Sequence, residues 1–222
     1  MNYLAFATDY DGTLATDGVV DAATIDALTR LQQSGRKLIL ITGRQLSDLQ
    51  IVFEQSHQFD CIVAENGAVL HFPATGEEKY LGDRPSETLI EALQMRGVEP
   101  ISIGQVIVAT WEPHDQTVQQ IINEQNLPLQ VILNKGAVMI LPTGIDKAAG
   151  LKAAIADLNL SVDQTVGVGD AENDRAFLGL CGYSVAVANA LPMLKKTVDW
   201  VTNQERGAGV CELIDQLLKR DT

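Results

Sequence analysis

Over most of the chain, short apolar runs alternate with stretches in which apolar positions recur every three or four residues. The first run, "YLAFAT" at 3–8, is followed by a predicted helix over 22–34, which "VDAAT" opens with Asp21 as cap and "SG" closes. "KLILIT" at 37–42 then precedes a helix with Leu46, Leu49 and Phe53 at helical spacing, and "CIVAE" at 61–65 is a third strand. Beyond residue 145 the alternation resumes. "TVGVGD" (165–170), the helical "ENDRAFLGL", "SVAVAN" (184–189), a short helix after Pro192 and "WVT" lead into a last helix, with Val210, Leu213, Ile214, Leu217 and Leu218 on one face. Strands apolar on both faces, separated by helices, indicate a parallel sheet covered on both sides.

The middle of the chain follows another pattern. "ENGAVLHF" sets Asn-Gly between two apolar runs, a strong hairpin signal. From about 82 to 144 the order is helix ("SETLIEALQM"), strand ("QVIVATW"), helix ("HDQTVQQIINEQ") and two strands, "LQVILN" and "AVMILP", joined by the turn "NKG" at 134–136. So short a turn makes those two strands antiparallel. Residues 82–144 are therefore expected to form a small α+β unit inserted into a parallel-sheet domain built from 1–81 and 145–222.

Composition narrows the partners. With 222 residues, 46% of them apolar, the chain has material for a full core. Its formal charge of -13 argues against nucleic acid or an anionic membrane as main partner. An anionic substrate would need a local cation, either a metal or a placed Lys or Arg. Cys61, Cys181 and Cys211 have no CxxC spacing and read as free thiols of a reducing cytoplasm. The apolar start is too short for a signal peptide, and no run approaches the ~20 apolar residues that span a membrane. A soluble, cytoplasmic protein is expected; its oligomeric state is not readable.

Four polar groups fall at the ends of predicted core strands or just past the insert, where open α/β sheets bind ligands. Asp9 and Asp11 in "DYDGTL" are two apart, so both carboxylates can face one small volume. Such a pair suits a divalent cation, or a nucleophile beside an acid/base; read alone, "DxDG" is equally a turn. In "LITGR", Thr42 and Gly43 offer a hydroxyl and backbone N–H groups to a phosphate oxygen, or simply end a strand. Lys147 lies in the first turn of a helix, against the macrodipole, which a phosphate-binding role would explain; a solvated surface lysine is the equal alternative. Asp170, Glu172, Asn173 and Asp174 crowd a strand end in "GDAEND", as at a Mg²⁺ site, although acids also favour helix starts.

In order and spacing, "DYDGTLA", "LITGR", Lys147 and "GDAEND" resemble the four motifs of the haloacid dehalogenase superfamily. The insert between the second and third motifs resembles the C2-type cap of Cof-like phosphatases. Sugar-phosphate phosphatases, sucrose-phosphatase-like enzymes and archaeal phosphoglycolate phosphatases are similar in layout. The resemblance implies a Rossmann-like three-layer α/β core with an inserted α+β cap, and a Mg²⁺-dependent phosphatase of a small phosphorylated metabolite. Asp9 would be the nucleophile, forming an aspartyl-phosphate, and Asp11 the general acid/base. Mg²⁺ would be held by Asp9, the Asp11 backbone carbonyl and Asp170, with Asp174 and Asn173 behind. Thr42, Gly43 and Lys147 would fix the phosphoryl oxygens. Arg44, Asn66 and Gly67 beside the motifs, and Trp111, Glu112, His114, Asn134 and Lys135 in the insert, are substrate-side candidates. The alternatives are a phosphomutase or phosphotransferase of the same superfamily, and a catalytically silent phospho-metabolite-binding module.

Overall fold

A computed structural model describes residues 3–219; residues 1–2 and 220–222 of the expected core unit lie outside it. Its strands are β1 Ala5–Asp9, β2 Lys37–Ile41, β3 Cys61–Ala64, β4 Val69–Phe72, β5 Glu77–Tyr80, β6 Ser102–Ile103, β7 Val108–Trp111, β8 Leu129–Asn134, β9 Ala137–Pro142, β10 Thr165–Gly169, β11 Tyr183–Ala186 and β12 Trp200–Val201. Its α-helices are α1 Ala22–Gln33, α2 Leu46–Val52, α3 Glu87–Met95, α4 Asp115–Glu124, α5 Lys147–Asp157, α6 Arg175–Leu178, α7 Pro192–Lys195 and α8 Arg206–Lys219.

Two sheets result. The larger runs β12-β11-β10-β1-β2-β3-β4-β5, parallel from β12 to β3 and antiparallel over the last two pairings. β1 is fully buried at its centre, as its unbroken apolar run requires. Asp21 caps α1 by accepting from the Thr24 N–H at 2.7 Å, and α1 packs beside α8, whose Val210, Leu213, Ile214 and Leu217 are buried as expected. Asn66 and Gly67 do turn β3 into β4, with φ of 54° and 110°. The smaller sheet, β6-β7-β9-β8, is wholly antiparallel and has its own core of Leu89, Leu93, Val118, Ile121 and Val138 among others. Its hairpin tip, Asn134 to Ala137, places Lys135 and Gly136 at φ 48° and 86°, the left-handed pair of a two-residue hairpin turn.

Three elements depart from the sequence expectation. β5, "EEKY", is an exposed, charged edge strand, so it carries no apolar signal. The strand expected over "QVIVATW" begins only at Val108. The backbone N–H groups of Gln105, Val106 and Ile107 are instead taken by the Glu65 carboxylate at 2.8, 2.8 and 2.9 Å, and Val106 and Ile107 pack into the large core. The helix expected over "ENDRAFLGL" is a 3-10 turn, Glu172–Asp174, followed by the single-turn α6. There Asp174 turns its carboxylate back onto the N–H groups of Asp170 and Ala171, which tightens the chain before a helix can start.

Candidate active site

β1 and β10 lie side by side in parallel, so the residues that end them emerge at the same edge of the sheet. Asp9 ends β1. The chain then turns sharply, with the Tyr10 carbonyl accepting from the N–H groups of Thr13, Leu14 and Ala15. Gly12 sits at φ 88°, and a Cβ there would come within 2.3 Å of Asp170 Oδ2. No side chain fits between this loop and the end of β10.

Lys147 arrives from the start of α5. Asp146 caps that helix by accepting from the Ala149 N–H at 2.8 Å, and its backbone crosses Gly67 so closely that a Cβ on the glycine would meet the Asp146 carbonyl at 1.9 Å. The Lys147 side chain, 1% exposed, donates to Asp9 Oδ1 and Asp174 Oδ1, both at 2.6 Å. Asp174 Oδ2 in turn receives the Asp170 and Ala171 N–H groups at 2.8 and 2.9 Å. Burial opposes the charge on Lys147, yet Asp174 and Asp9 outweigh it and hold the ammonium above its ordinary range. On Asp9 burial wins instead: with Asp174 and Asp170 nearby it overrides Lys147 and pushes the carboxyl from 3.8 to about 7. Asp170 is raised too, chiefly by burial, against the opposing pull of Lys135.

One oxygen from each of Asp9, Asp170 and Asp174 lies within 4.8 Å of the others. Asp9 Oδ2 and Asp170 Oδ1 are buried without a hydrogen-bond partner. Buried carboxylate oxygens left unpartnered are costly, and an all-oxygen set of this kind matches a hard divalent cation. The residues present therefore fit a metal ion.

Asp11 is placed differently. Its carboxylate lies outside the three-carboxylate group and is gripped by Arg44, Nε to Oδ2 at 2.8 Å and a terminal nitrogen to Oδ1 at 2.7 Å. The Arg44 guanidinium also lies over the Tyr10 ring at 5.4 Å. Thr42 is fully buried, and its hydroxyl accepts the Arg44 N–H at 3.1 Å; a Cβ on Gly43 beside it would stand 3.6 Å from Met139 Sδ.

A cavity of about 400 Å³ lies between the two sheets, with the Thr42 and Asp174 side chains outside its lining. Asp9, Asp11, Gly43, Arg44, Lys147, Asp170 and Asn173 face it from the large sheet. Trp111, Asn134 and Lys135 face it from the small one, joined by Ala109, Ala137 and Met139, which the motif reading had not singled out. Lys135 crosses to Asp170 Oδ2 at 2.7 Å. Other candidates are not brought there. Asn66 is buried and bonded to Asn173 at 3.0 Å, and His114 stands at the start of α4 against the Glu99 carbonyl at 3.1 Å. Glu112 is exposed outside the cavity. Glu65, which fastens the insert to the β3–β4 turn, had been read only as a strand end; its left-handed backbone, φ 50°, leaves no mark in an apolar pattern.

A model described as haloacid dehalogenase-like hydrolase matches residues 6–96 and 91–214. The chain belongs to this family. Among curated relatives, a phosphoglycolate phosphatase of Methanothermobacter thermautotrophicus is 27% identical over 224 residues, covering 96% of this chain and 98% of that one. Phosphoglycolate phosphatase 2 of Saccharolobus solfataricus is 28% identical over 225 residues, covering 98% and 93%. In fold, a haloacid dehalogenase-like hydrolase from Bacteroides thetaiotaomicron superposes with a TM-score of 0.82 at 19% identity, over 97% of this chain and 100% of that one. A sugar phosphatase of HAD subclass IIB superposes at 0.79 and 17% identity, over 96% and 98%. Both share the mixed α/β layout, with its central parallel sheet. Among the described residues, no helix is long and apolar enough to cross a membrane.

Proposed function

We propose that this haloacid dehalogenase-like hydrolase is a cytoplasmic, Mg²⁺-dependent phosphatase of small phosphorylated metabolites, with phosphoglycolate or a sugar phosphate as substrate. The observation that carries the reading is Asp9. It is a buried carboxylate with one oxygen anchored on Lys147 and the other unpartnered beside the cavity. A nucleophile needs that combination of fixed orientation and a free lone pair.

Asp9 Oδ2 attacks phosphorus, the bond to the leaving alkoxide breaks, and an aspartyl-phosphate forms on Asp9. Asp11 gives the departing oxygen its proton and later takes one from the water that hydrolyses the acyl phosphate, a role generally worth ~10²–10⁴ in rate. Arg44 grips the Asp11 carboxylate at both oxygens in this structure, a pairing of the ionised form. Arg44 must therefore release one oxygen before Asp11 can carry and deliver that proton. Lys147 supplies a fixed positive charge to the transferring group, and Thr42 and Gly43 shape the strand end beside it. Mg²⁺, held by Asp9, Asp170 and Asp174 with Asn173 behind them, would neutralise charge on the phosphoryl oxygens. Residues 82–144, with Trp111, Asn134 and Lys135 on the cavity, act as the cap that selects the leaving group and excludes water.

The test is release of inorganic phosphate from phosphoglycolate, sugar phosphates and p-nitrophenyl phosphate with and without Mg²⁺. Asp9→Asn is expected to abolish turnover while circular dichroism stays native. Retained turnover, or turnover unaffected by EDTA, refutes the mechanism.

A further inference from the structure

Lys135 reaches out from the tip of the insert's hairpin to an aspartate of the main sheet. Its ammonium bonds Asp170 Oδ2 at 2.7 Å, and its backbone N–H donates to Glu172 Oε1 at 3.2 Å. The Asp170 side chain is 4% exposed, whereas that of Lys135 is 46% exposed and can swing away into solvent or cavity. The same Asp170 belongs to the three-carboxylate group that fits a divalent cation. An ammonium and a metal ion cannot both satisfy this crowded carboxylate at full strength, since each would repel the other at that range.

We propose that Lys135 is the resident counter-ion of Asp170, exchanged for the divalent cation when the metal binds. The released ammonium then recognises a second anionic group, a carboxylate, on the leaving side of the substrate. Two observations support the second step. The other cations facing the cavity are committed, Arg44 to Asp11 and Lys147 to Asp9 and Asp174. Lys147 and Lys135 both bond the three-carboxylate group, but Lys147 is enclosed by two of its members whereas Lys135 holds only one and keeps about half its side chain in the open. A lysine on a flexible stem suits a point-like carboxylate at a variable distance. This step rests on the phosphatase reading; the exchange itself does not.

Mg²⁺ titration by calorimetry, with Mn²⁺ as a second probe, tests the exchange without turnover. Lys135→Met should bind the metal about two- to fivefold tighter than the unaltered chain, the size of a half-exposed ion pair, and Lys135→Arg should restore the weaker binding. Hydrogen exchange at 134–137 should speed up on adding metal, as the Lys135 N–H loses its place on Glu172. Equal affinities, or greater protection at 134–137 with metal, overturn the exchange. For the second step, Lys135→Met should raise KM for phosphoglycolate about tenfold or more while changing KM for p-nitrophenyl phosphate less than threefold. Equal changes for both overturn it. Failure of the unaltered chain to hydrolyse either ester sinks the phosphatase reading, and calorimetry and exchange still decide the ion exchange.

Discussion

Two lysines meet the same cluster of aspartates, and they do so in opposite ways. Lys147 comes from the start of α5, is enclosed, and is bonded at 2.6 Å to two carboxylates. Lys135 comes from the insert, bonds one carboxylate at 2.7 Å and stays half open to solvent. The first is part of the framework, because two buried carboxylates around a single ammonium leave it no alternative partner. The second is a contact that can be traded. A site that must both hold a fixed charge and admit a metal and substrate needs one cation of each kind.

The contrast is broken most severely at Lys147. Lys147→Met leaves Asp9 and Asp174 buried without their shared cation, and uncompensated buried charge of this kind costs ~3–5 kcal/mol. Urea unfolding of the metal-free protein should show a loss of that order, with hydrolysis abolished. Divalent metal should recover part of the stability but not the activity. A loss below ~1 kcal/mol would mean that Lys147 is no more structural than a surface lysine.

Next in size is the fastening between the two regions. The Glu65 carboxylate accepts three N–H groups at the entry to β7. Glu65→Gln halves the acceptor oxygens and places an amide donor against those N–H groups, so a loss of ~1–3 kcal/mol is expected. Hydrogen exchange should rise first at Val106 and Ile107. If exchange rises uniformly over the small sheet instead, the insert is not pinned at this point.

The two lysines also separate what the sequence discloses from what it hides. That Asp9, Lys147, Asp170 and Asp174 gather at one edge of the sheet was legible, because strand ends in a doubly covered sheet have a known place and short polar motifs mark them. Which cation serves which carboxylate was not legible. That Arg44 takes Asp11 while Lys147 takes Asp9 depends on packing between segments 33 and 138 residues apart. The separate antiparallel sheet within 82–144 was expected from the change of pattern there. Its attachment was hidden, because a buried glutamate at positive φ looks like any charged residue after a strand. His114 and Asn66 failed to reach the cavity for a related reason: a polar side chain near a motif can be spent on a neighbouring backbone or amide.

A pH titration sharpens the framework side of the comparison. Asp9 binds its proton more tightly folded, about 7, than at its ordinary 3.8. The folded state therefore holds more protons than the unfolded chain between these values. The stability Asp9 contributes is fully present below ~3.8 and is lost as pH rises through about 7. In metal-free protein the stability difference between Asp9→Asn and the unaltered chain should shift in favour of the variant across this window, measured by thermal scanning. A difference independent of pH between 4.5 and 7.5 would remove the burial argument for Asp9.

The smallest effect belongs to the exchangeable side. Lys135→Met in metal-free protein removes one half-exposed ion pair, so it should lower stability by only ~0.2–1 kcal/mol. The informative quantity is the behaviour of that difference when metal is added. If Lys135 has already left Asp170 in the metal-bound state, the pair is absent from both proteins and the deficit should close, or reverse through the variant's tighter metal binding. If Lys135 is framework like Lys147, the deficit should persist at saturating metal. Thermal scans of both proteins, with and without Mg²⁺, therefore distinguish a counter-ion that yields its place from one that does not.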